Sequence, residues 1–240
     1  MGLQGARARG GQPLTGRRRW EDPGVVGGFA TAEANPALME FARGELARCP
    51  RQRILDLGCG AARNASPIAA LGASVIGVDL AWPMLDAARR RVASEGVGDR
   101  VRLVRARVDR LPLADASVDL VVAHGVWNLA RSDAELRRAV GEAARVARVG
   151  AGLFVFTFSR ATLPGNAIPV PGESYVFSEF AGEPQCFLTE EQLVAELRQA
   201  GFEKDPPGPL TERNRPLSGR ALTCGGPVVY EDTFRRRGPG

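Results

Sequence analysis

The first chemical signal lies in one short string, ILDLGCGAARN at 54–64, where Asp56 stands two residues ahead of Gly58-Cys59-Gly60. An apolar run, residues 53–57, ends at the glycines, and a helical pattern follows over 64–71. Glycines at such a turn let the backbone bend sharply and approach a ligand. The helix start behind them offers free N–H groups. A second acid, Asp79, closes the next apolar run, 74–79. A carboxylate at that place accepts both ribose hydroxyls of a nucleoside. A lone G-x-G is a weak signal, but strand, acid, G-x-G, helix, strand and terminal acid together specify a nucleoside site.

Two kinds of nucleoside compete for this geometry. A dinucleotide asks for G-x-G-x-x-G, whose third glycine lets helix and strand pack beside the pyrophosphate. Arg63 stands at that position. Asp56 would also repel a pyrophosphate, whereas it suits an ammonium group. S-adenosyl-L-methionine carries an ammonium, a sulfonium and no phosphate, so these residues lean toward it. An NAD-dependent oxidoreductase and a non-catalytic S-adenosylmethionine-binding protein are the rival readings.

The elements that must position these groups follow in order. Residues 1–19 read as a disordered basic tail, and 20–240 as one domain. A helical cap is expected over 20–49, with Asn35 as N-cap and Pro36 as first helical residue. Strands are expected at 53–57, 74–79, 101–105, 118–123 and 152–158. Helices are expected at 64–71, 83–94, from Ser132 to about Val149, and at 189–201, with Ser132/Glu135 and Thr189/Gln192 as capping boxes. This alternation implies an α/β fold: a doubly wound, mostly parallel, Rossmann-like sheet in a three-layer αβα sandwich. Ligands then bind outside the carboxyl ends of the strands, at the switch point of strand order. Residues 160–188 interrupt the alternation with Tyr175, Phe177, Phe180 and Phe187, and read as a lid-like insertion or as loop packed on its own domain.

At these residues the chain resembles the class I S-adenosylmethionine-dependent methyltransferases. LDLGCG with ARN, VIGVDLAWPML and RLPLADASVDLVVAHGV are similar to that family's successive motifs, and the resemblance covers roughly 50–160. The family implies that Asp56 and the Gly58–Cys59–Gly60 backbone hold the methionine portion and that Asp79 takes the ribose hydroxyls. Leu80 and Met84 would pack near the adenine, and the Val108 backbone would meet an adenine edge nitrogen. The family often has an acid where Arg107 stands here. Asp109 is the substitute to accept from the adenine amino group, unless that group faces water.

Methyl transfer is an in-line displacement at an activated sulfonium carbon. The protein mainly aligns the acceptor and excludes water. A general base is optional. His124, the only histidine, follows the fourth strand and is either that base or a packing residue. Trp127 on the same loop is core or pocket wall, and Tyr175 and Phe177 are candidate pocket walls.

Composition narrows the partners. The net charge is +5, from 32 basic and 27 acidic residues. Five arginines lie within the first 20 residues, which contain no acid, and setting them aside leaves 27 basic against 27 acidic. Such a body lacks the basic face that nucleic acid needs. No apolar run reaches the length of a membrane span. Cys49, Cys59, Cys186 and Cys224 have no zinc or disulfide spacing, and with one histidine no metal site is expected. The expectation is a cytoplasmic enzyme, monomer or homodimer, acting on a small-molecule acceptor through oxygen, carbon, sulfur or an inorganic centre.

Overall fold

The structure is a computed structural model that describes residues 16–180, 182–215 and 226–238. Five parallel strands form its centre: β1 (Arg53–Leu57), β2 (Ser74–Asp79), β3 (Val101–Arg105), β4 (Val118–His124) and β5 (Ala147–Phe158). Two two-residue strands, β6 (Val176–Phe177) and β7 (Gln185–Cys186), pair with each other apart from the main sheet. Past them the main sheet continues with β8 (Phe202–Lys204), β9 (Glu212–Arg213) and β10 (Val229–Arg236). The order is β3-β2-β1-β4-β5-β10-β8, with β9 also on β10, and every pairing of β10 is antiparallel. The chain runs outward from β1 to β3, then returns to lay β4 on the other side of β1. The switch point therefore falls between β1 and β4, beside the glycine turn.

Helices cover both faces. On one lie α2 (Pro36–Arg48), α3 (Ala65–Ala70) and α4 (Trp82–Ser94); α1 (Pro23–Thr31) packs across the start of α4. On the other lie α5 (Asp133–Val146) and α6 (Glu190–Gln199). Alternate strand residues feed the two cores, as the pleat requires. Ile54, Leu120, Val122 and Phe154 join the α2–α4 side, while Leu55, Leu57, Val121 and Leu153 join the α5–α6 side. Both sets are buried, which explains why residues 152–158 of the fifth strand read as an apolar run.

The expected strands at 53–57, 74–79 and 101–105 have the observed bounds, and the expected helices differ by a few residues at their ends. Asn35 caps α2, its Oδ1 accepting from Leu38 N at 2.9 Å. The Thr189/Gln192 box closes in both directions. The Ser132 box is half made: Ser132 Oγ accepts from Glu135 N, but the Glu135 carboxylate accepts from Arg131 N instead.

Three expectations need correction. The tail read as 1–19 lies mostly outside the described residues, but Gly16–Glu21 forms a 3-10 turn that carries Trp20 onto Phe29. The fifth strand begins at Ala147, not 152, and β10 was not foreseen. The insertion at 160–188 is tied down and does not stand as a free flap. Glu173 accepts from Asp133 N at 2.6 Å, the Asp133 carboxylate accepts from Ser174 N at 2.8 Å, and Cys186 Sγ donates to Ala130 O at 3.4 Å.

Candidate active site

The turn after β1 is built for close approach. Gly58 and Gly60 have φ of +63° and +53°, and a Cβ on Gly58 would stand 2.7 Å from Val126 Cγ2. Both the backbone and the neighbouring loop thus require glycine. Cys59 contributes only its backbone. Its N–H donates to Val78 O at 2.9 Å, and its thiol is buried beneath Gly77, where a Cβ would meet Sγ at 2.9 Å.

Asp56 is the penultimate residue of β1 and is 1% exposed. It accepts a backbone bond from Ala65, yet its Oδ2 is buried with no partner. Burial pushes the carboxyl up to about 7, and the nearby Arg63 charge holds it back in part. A buried carboxylate oxygen without a donor is costly. An ammonium group is the ligand that would satisfy it. Asp79 ends β2 with its Oδ2 accepting from Gly60 N at 2.9 Å and Oδ1 from Ala81 N at 2.8 Å. Burial raises its pKa, and the backbone donors hold it fixed against the glycine turn with lone pairs left for hydroxyls. The donor set therefore fits the methionine and ribose ends of S-adenosylmethionine.

The adenine side is mixed. Met84 is buried behind Gly60, and Leu80, just after β2, is 40% exposed. Val108 is half-buried just beyond β3. The structure does not leave Asp109 free. Arg107 donates to both its oxygens, at 2.7 and 2.9 Å, and Arg138 stands at 3.6 Å, so this carboxylate stays ionised and spoken for.

His124 closes β4 on the α2 side, its ring stacked on Phe156 at 4.3 Å and 8°. Asn35 Nδ2 lies 3.2 Å from its Nε2, and Arg63 Nη2 lies 3.0 Å from its Nδ1. Burial, and then the Arg63 charge, push the imidazole down to about 3. The ring is neutral at working pH and resists taking a proton, which weakens the case for a general base. Asn35 also donates to Glu231 of β10 at 2.7 Å, and Glu231 pairs with Arg213 at 3.2 Å. Asn35 N in turn donates to Asn64 Oδ1 at 3.1 Å. Above this floor, α1 sets Phe29 against Gly60, and Arg91 Nη1 fastens the end of α1 through Ala30 O and Ala32 O.

The proposed pocket walls lie elsewhere. Trp127 is buried in the α5–α6 core. Tyr175 is in the same core, its hydroxyl donating to Glu196 of α6 at 2.9 Å. Phe177 is packed among Phe158, Phe187 and Leu163. All three fill the interior because the 160–188 segment is folded onto the domain. Four residues that do surround His124 carried no functional expectation: Asn35, read only as a cap; Arg63, read only as a misfit glycine; and Phe156 and Glu231, which the β4–β5–β10 register brings beside it. Among the described residues no cluster of His, Cys, Asp or Glu could hold a metal ion.

Comparison with known proteins agrees with this geometry. Residues 54–150 match the family model described as a methyltransferase domain. The chain is 30% identical over 175 residues to the ubiquinone biosynthesis O-methyltransferase of Hahella chejuensis, covering 71% of each chain. It is 35% identical over 167 residues to the demethylmenaquinone methyltransferase of Clavibacter sepedonicus, covering 63% of this chain and 65% of that one. It thus spans about two thirds of these relatives' length. The crystal structure of Burkholderia thailandensis 1,6-didemethyltoxoflavin-N1-methyltransferase superposes with a TM-score of 0.63 at 19% identity, covering 98% of this chain and 97% of that one. A glycine turn that holds two acids at adjacent strand ends, on this sheet order and among these relatives, places the chain in the class I S-adenosylmethionine-dependent methyltransferases.

Proposed function

We propose that the protein transfers the methyl group of S-adenosylmethionine to a small-molecule acceptor docked over His124 and Phe156. The buried Asp56 carboxylate with its unpartnered Oδ2 carries this reading, because a cationic donor satisfies its ionised form. When bound, the cofactor supplies a methyl group already activated on sulfur. What remains for the protein is alignment and exclusion of water. His124, held between Asn35 and Arg63, is a positioning residue on this account: a neutral ring that fixes the acceptor and takes up no proton. The acceptor's nucleophilic atom is oxygen on this reading, the atom that the name of the ubiquinone relative gives for its own reaction. The balanced charge of the body favours a free small molecule over nucleic acid. No helix among the described residues is long and apolar enough to cross a membrane, and we place the enzyme in the cytoplasm as a monomer or homodimer.

The test is calorimetric titration with S-adenosylmethionine, S-adenosylhomocysteine and NAD in parallel, followed by an acceptor screen with labelled methyl donor. Binding of the first two and transfer to a phenolic or enolic acceptor is the expected result. Binding of NAD alone would overturn the reading, and cofactor binding without turnover across the panel would favour a non-catalytic binder.

A further inference from the structure

The groups around His124 offer more hydrogen-bond donors than its ring can accept. Asn35 is oriented by its cap: Oδ1 accepts from Leu38 N at 2.9 Å, which turns Nδ2 toward the ring. One Nδ2 proton goes to Glu231 Oε1 at 2.7 Å, and the other faces His124 Nε2 at 3.2 Å. Arg63 Nη2 stands 3.0 Å from Nδ1 and 3.4 Å from Nε2, and a guanidinium has no lone pair to give. A neutral imidazole has one acceptor nitrogen, and a protonated one has none. Asn35, fixed at its cap and at Glu231, claims Nε2, which assigns the ring proton to Nδ1. The Nδ1–H and the Arg63 Nη2 donors then lie side by side. The acceptor that acts on the ring is the His124 carbonyl itself, and its influence is smaller than that of burial or of the Arg63 charge. His124, Arg63 and Phe156 are each half-buried, so this edge of the floor is open. The charges that face it are Arg63, Glu231 with its partner Arg213 at 3.2 Å, and Asp56, which acts through space on Arg63. Arg213 matches Glu231, and the cofactor's ammonium takes Asp56 on the reading above. The Arg63 charge is left for an anion.

We propose that the acceptor binds already ionised, as a phenolate or enolate whose oxygen accepts from His124 Nδ1–H and Arg63 Nη2. The proposal rests on the methyl-transfer reading above and names the acceptor's charge state. Its proton has gone to solvent before the chemical step, so a site with no base is complete. An oxygen anion has three lone pairs, and two accepted bonds leave one for the methyl carbon. In the step the O–C bond forms as the C–S bond breaks, and the C–S electron pair stays on sulfur. Oxyanion and sulfonium give a neutral methyl ether and a neutral thioether, with no proton moved. Two donors set against the oxygen, one of them a permanent cation, also stabilise its ionised form and lower its pKa. The same donors discriminate among acceptors. An amine presents N–H groups to N–H groups, and an aliphatic alcohol does not ionise, so the site selects an acidic hydroxyl.

The experiment is an absorbance titration of para-nitrophenol, whose visible band belongs to the anion alone, bound to the full chain with and without saturating S-adenosylhomocysteine. The bound probe is expected to ionise at a pH about one unit or more below the free probe, which is phenolate binding about tenfold tighter than phenol. Neutral para-nitroaniline, of like shape, is expected to bind at least about tenfold more weakly than the phenolate. His124→Phe, which keeps a flat ring against Phe156 without its N–H, and Arg63→Met should each lose part of the pKa shift. His124→Gln, which keeps an N–H donor, should retain more of it than His124→Phe, a difference that a purely structural role would not produce. An unshifted or raised pKa in the bound probe would overturn the proposal. So would a shift that survives both His124→Phe and Arg63→Met, because the anion would then be held elsewhere. A chain that binds S-adenosylhomocysteine but takes up no nitrophenolate at any pH overturns it as well. If His124→Phe does not fold, His124→Gln, Arg63→Met and the wild-type shift decide. A wild type that shows the shift but binds no S-adenosylhomocysteine supports the anion site and strikes the cofactor reading instead.

Discussion

Replacing Asp56 by Asn should stabilise the free protein and damage cofactor binding, and the size of the first effect follows from the structure. The Asp56 carboxyl titrates at about 7 in the fold against an ordinary 3.8, chiefly because it is buried. Above pH 7 the ionised form costs the folded state roughly 4 kcal/mol, from about three pH units at ~1.4 kcal/mol each. Asparagine removes that charge. It keeps an oxygen for the Ala65 backbone bond but buries an amide donor where Oδ2 had no partner, at a cost of about 1–3 kcal/mol. The charge effect is the larger, so the variant should gain roughly 1–3 kcal/mol at pH 8. The sign reverses with acid. A carboxyl with a raised folded pKa binds its proton first in the native state, so the wild type gains stability as pH falls from 7 toward 3.8 and the variant does not. Urea denaturation at pH 8 and pH 5 reads this directly: the variant's advantage should shrink by about 2–3 kcal/mol between the two. S-adenosylhomocysteine should bind the variant about 10–100-fold more weakly, since the ammonium loses a charged partner. A stability gap that does not change with pH, or a variant less stable than wild type at pH 8, would refute the reasoning.

Other outcomes are equally specific. His124 is the only histidine, so its ring C–H signals are unobscured in an NMR titration, and they should titrate near 3. The unfolded chain takes that proton at about 6.5. Stability is therefore lost on this account as pH falls from 6.5 toward 3, opposing Asp56, and a folded-state titration near 6.5 would remove the argument against a base. Asp79→Ala should weaken S-adenosylhomocysteine at least about tenfold, because the hydroxyls lose their acceptor; unchanged affinity would dissolve the assignment at the end of β2. Tyr175→Phe should cost about 1 kcal/mol by thermal or urea denaturation through the lost bond to Glu196, with the acceptor KM unaltered. A raised KM would return Tyr175 to the pocket.

What was legible in the sequence was whatever a local pattern could encode. Strands β1 and β2 are short, mostly apolar runs closed by Gly58 and Asp79, and their bounds follow from that punctuation. Asp56, the glycine turn and Asp79 were expected at one site from their spacing, and the structure brings them together at adjacent strand ends. β10 escaped because it is not apolar. Its Glu231, Asp232 and Arg235 are carried into the sheet by Arg213, Lys204 and Glu45, partners on other elements, so the charges that argue against a strand are neutralised only after folding. Trp127, Tyr175 and Phe177 were left between core and pocket wall for the opposite reason. An aromatic in a long loop says that something will be covered and not what will cover it, and here each covers the core.

Asn35 shows why the acceptor side resists local reading. Its side chain caps α2 over three residues, a relation any sequence scan finds. The same amide reaches His124, 89 residues on, and Glu231, 196 residues on, while its backbone meets Asn64. One residue thus joins the cap, the glycine turn, the β4 terminus and the antiparallel β10 into a single floor. The residues assigned to the cofactor's methionine and ribose ends, Asp56, the glycine turn and Asp79, come from the first two strands and lie close in sequence. The acceptor surface proposed over His124 and Phe156 draws on β4, β5 and β10, which meet only in the folded sheet. On the proposed reading the two halves of the reaction are therefore encoded at different ranges, and the acceptor's identity is held in the long-range half.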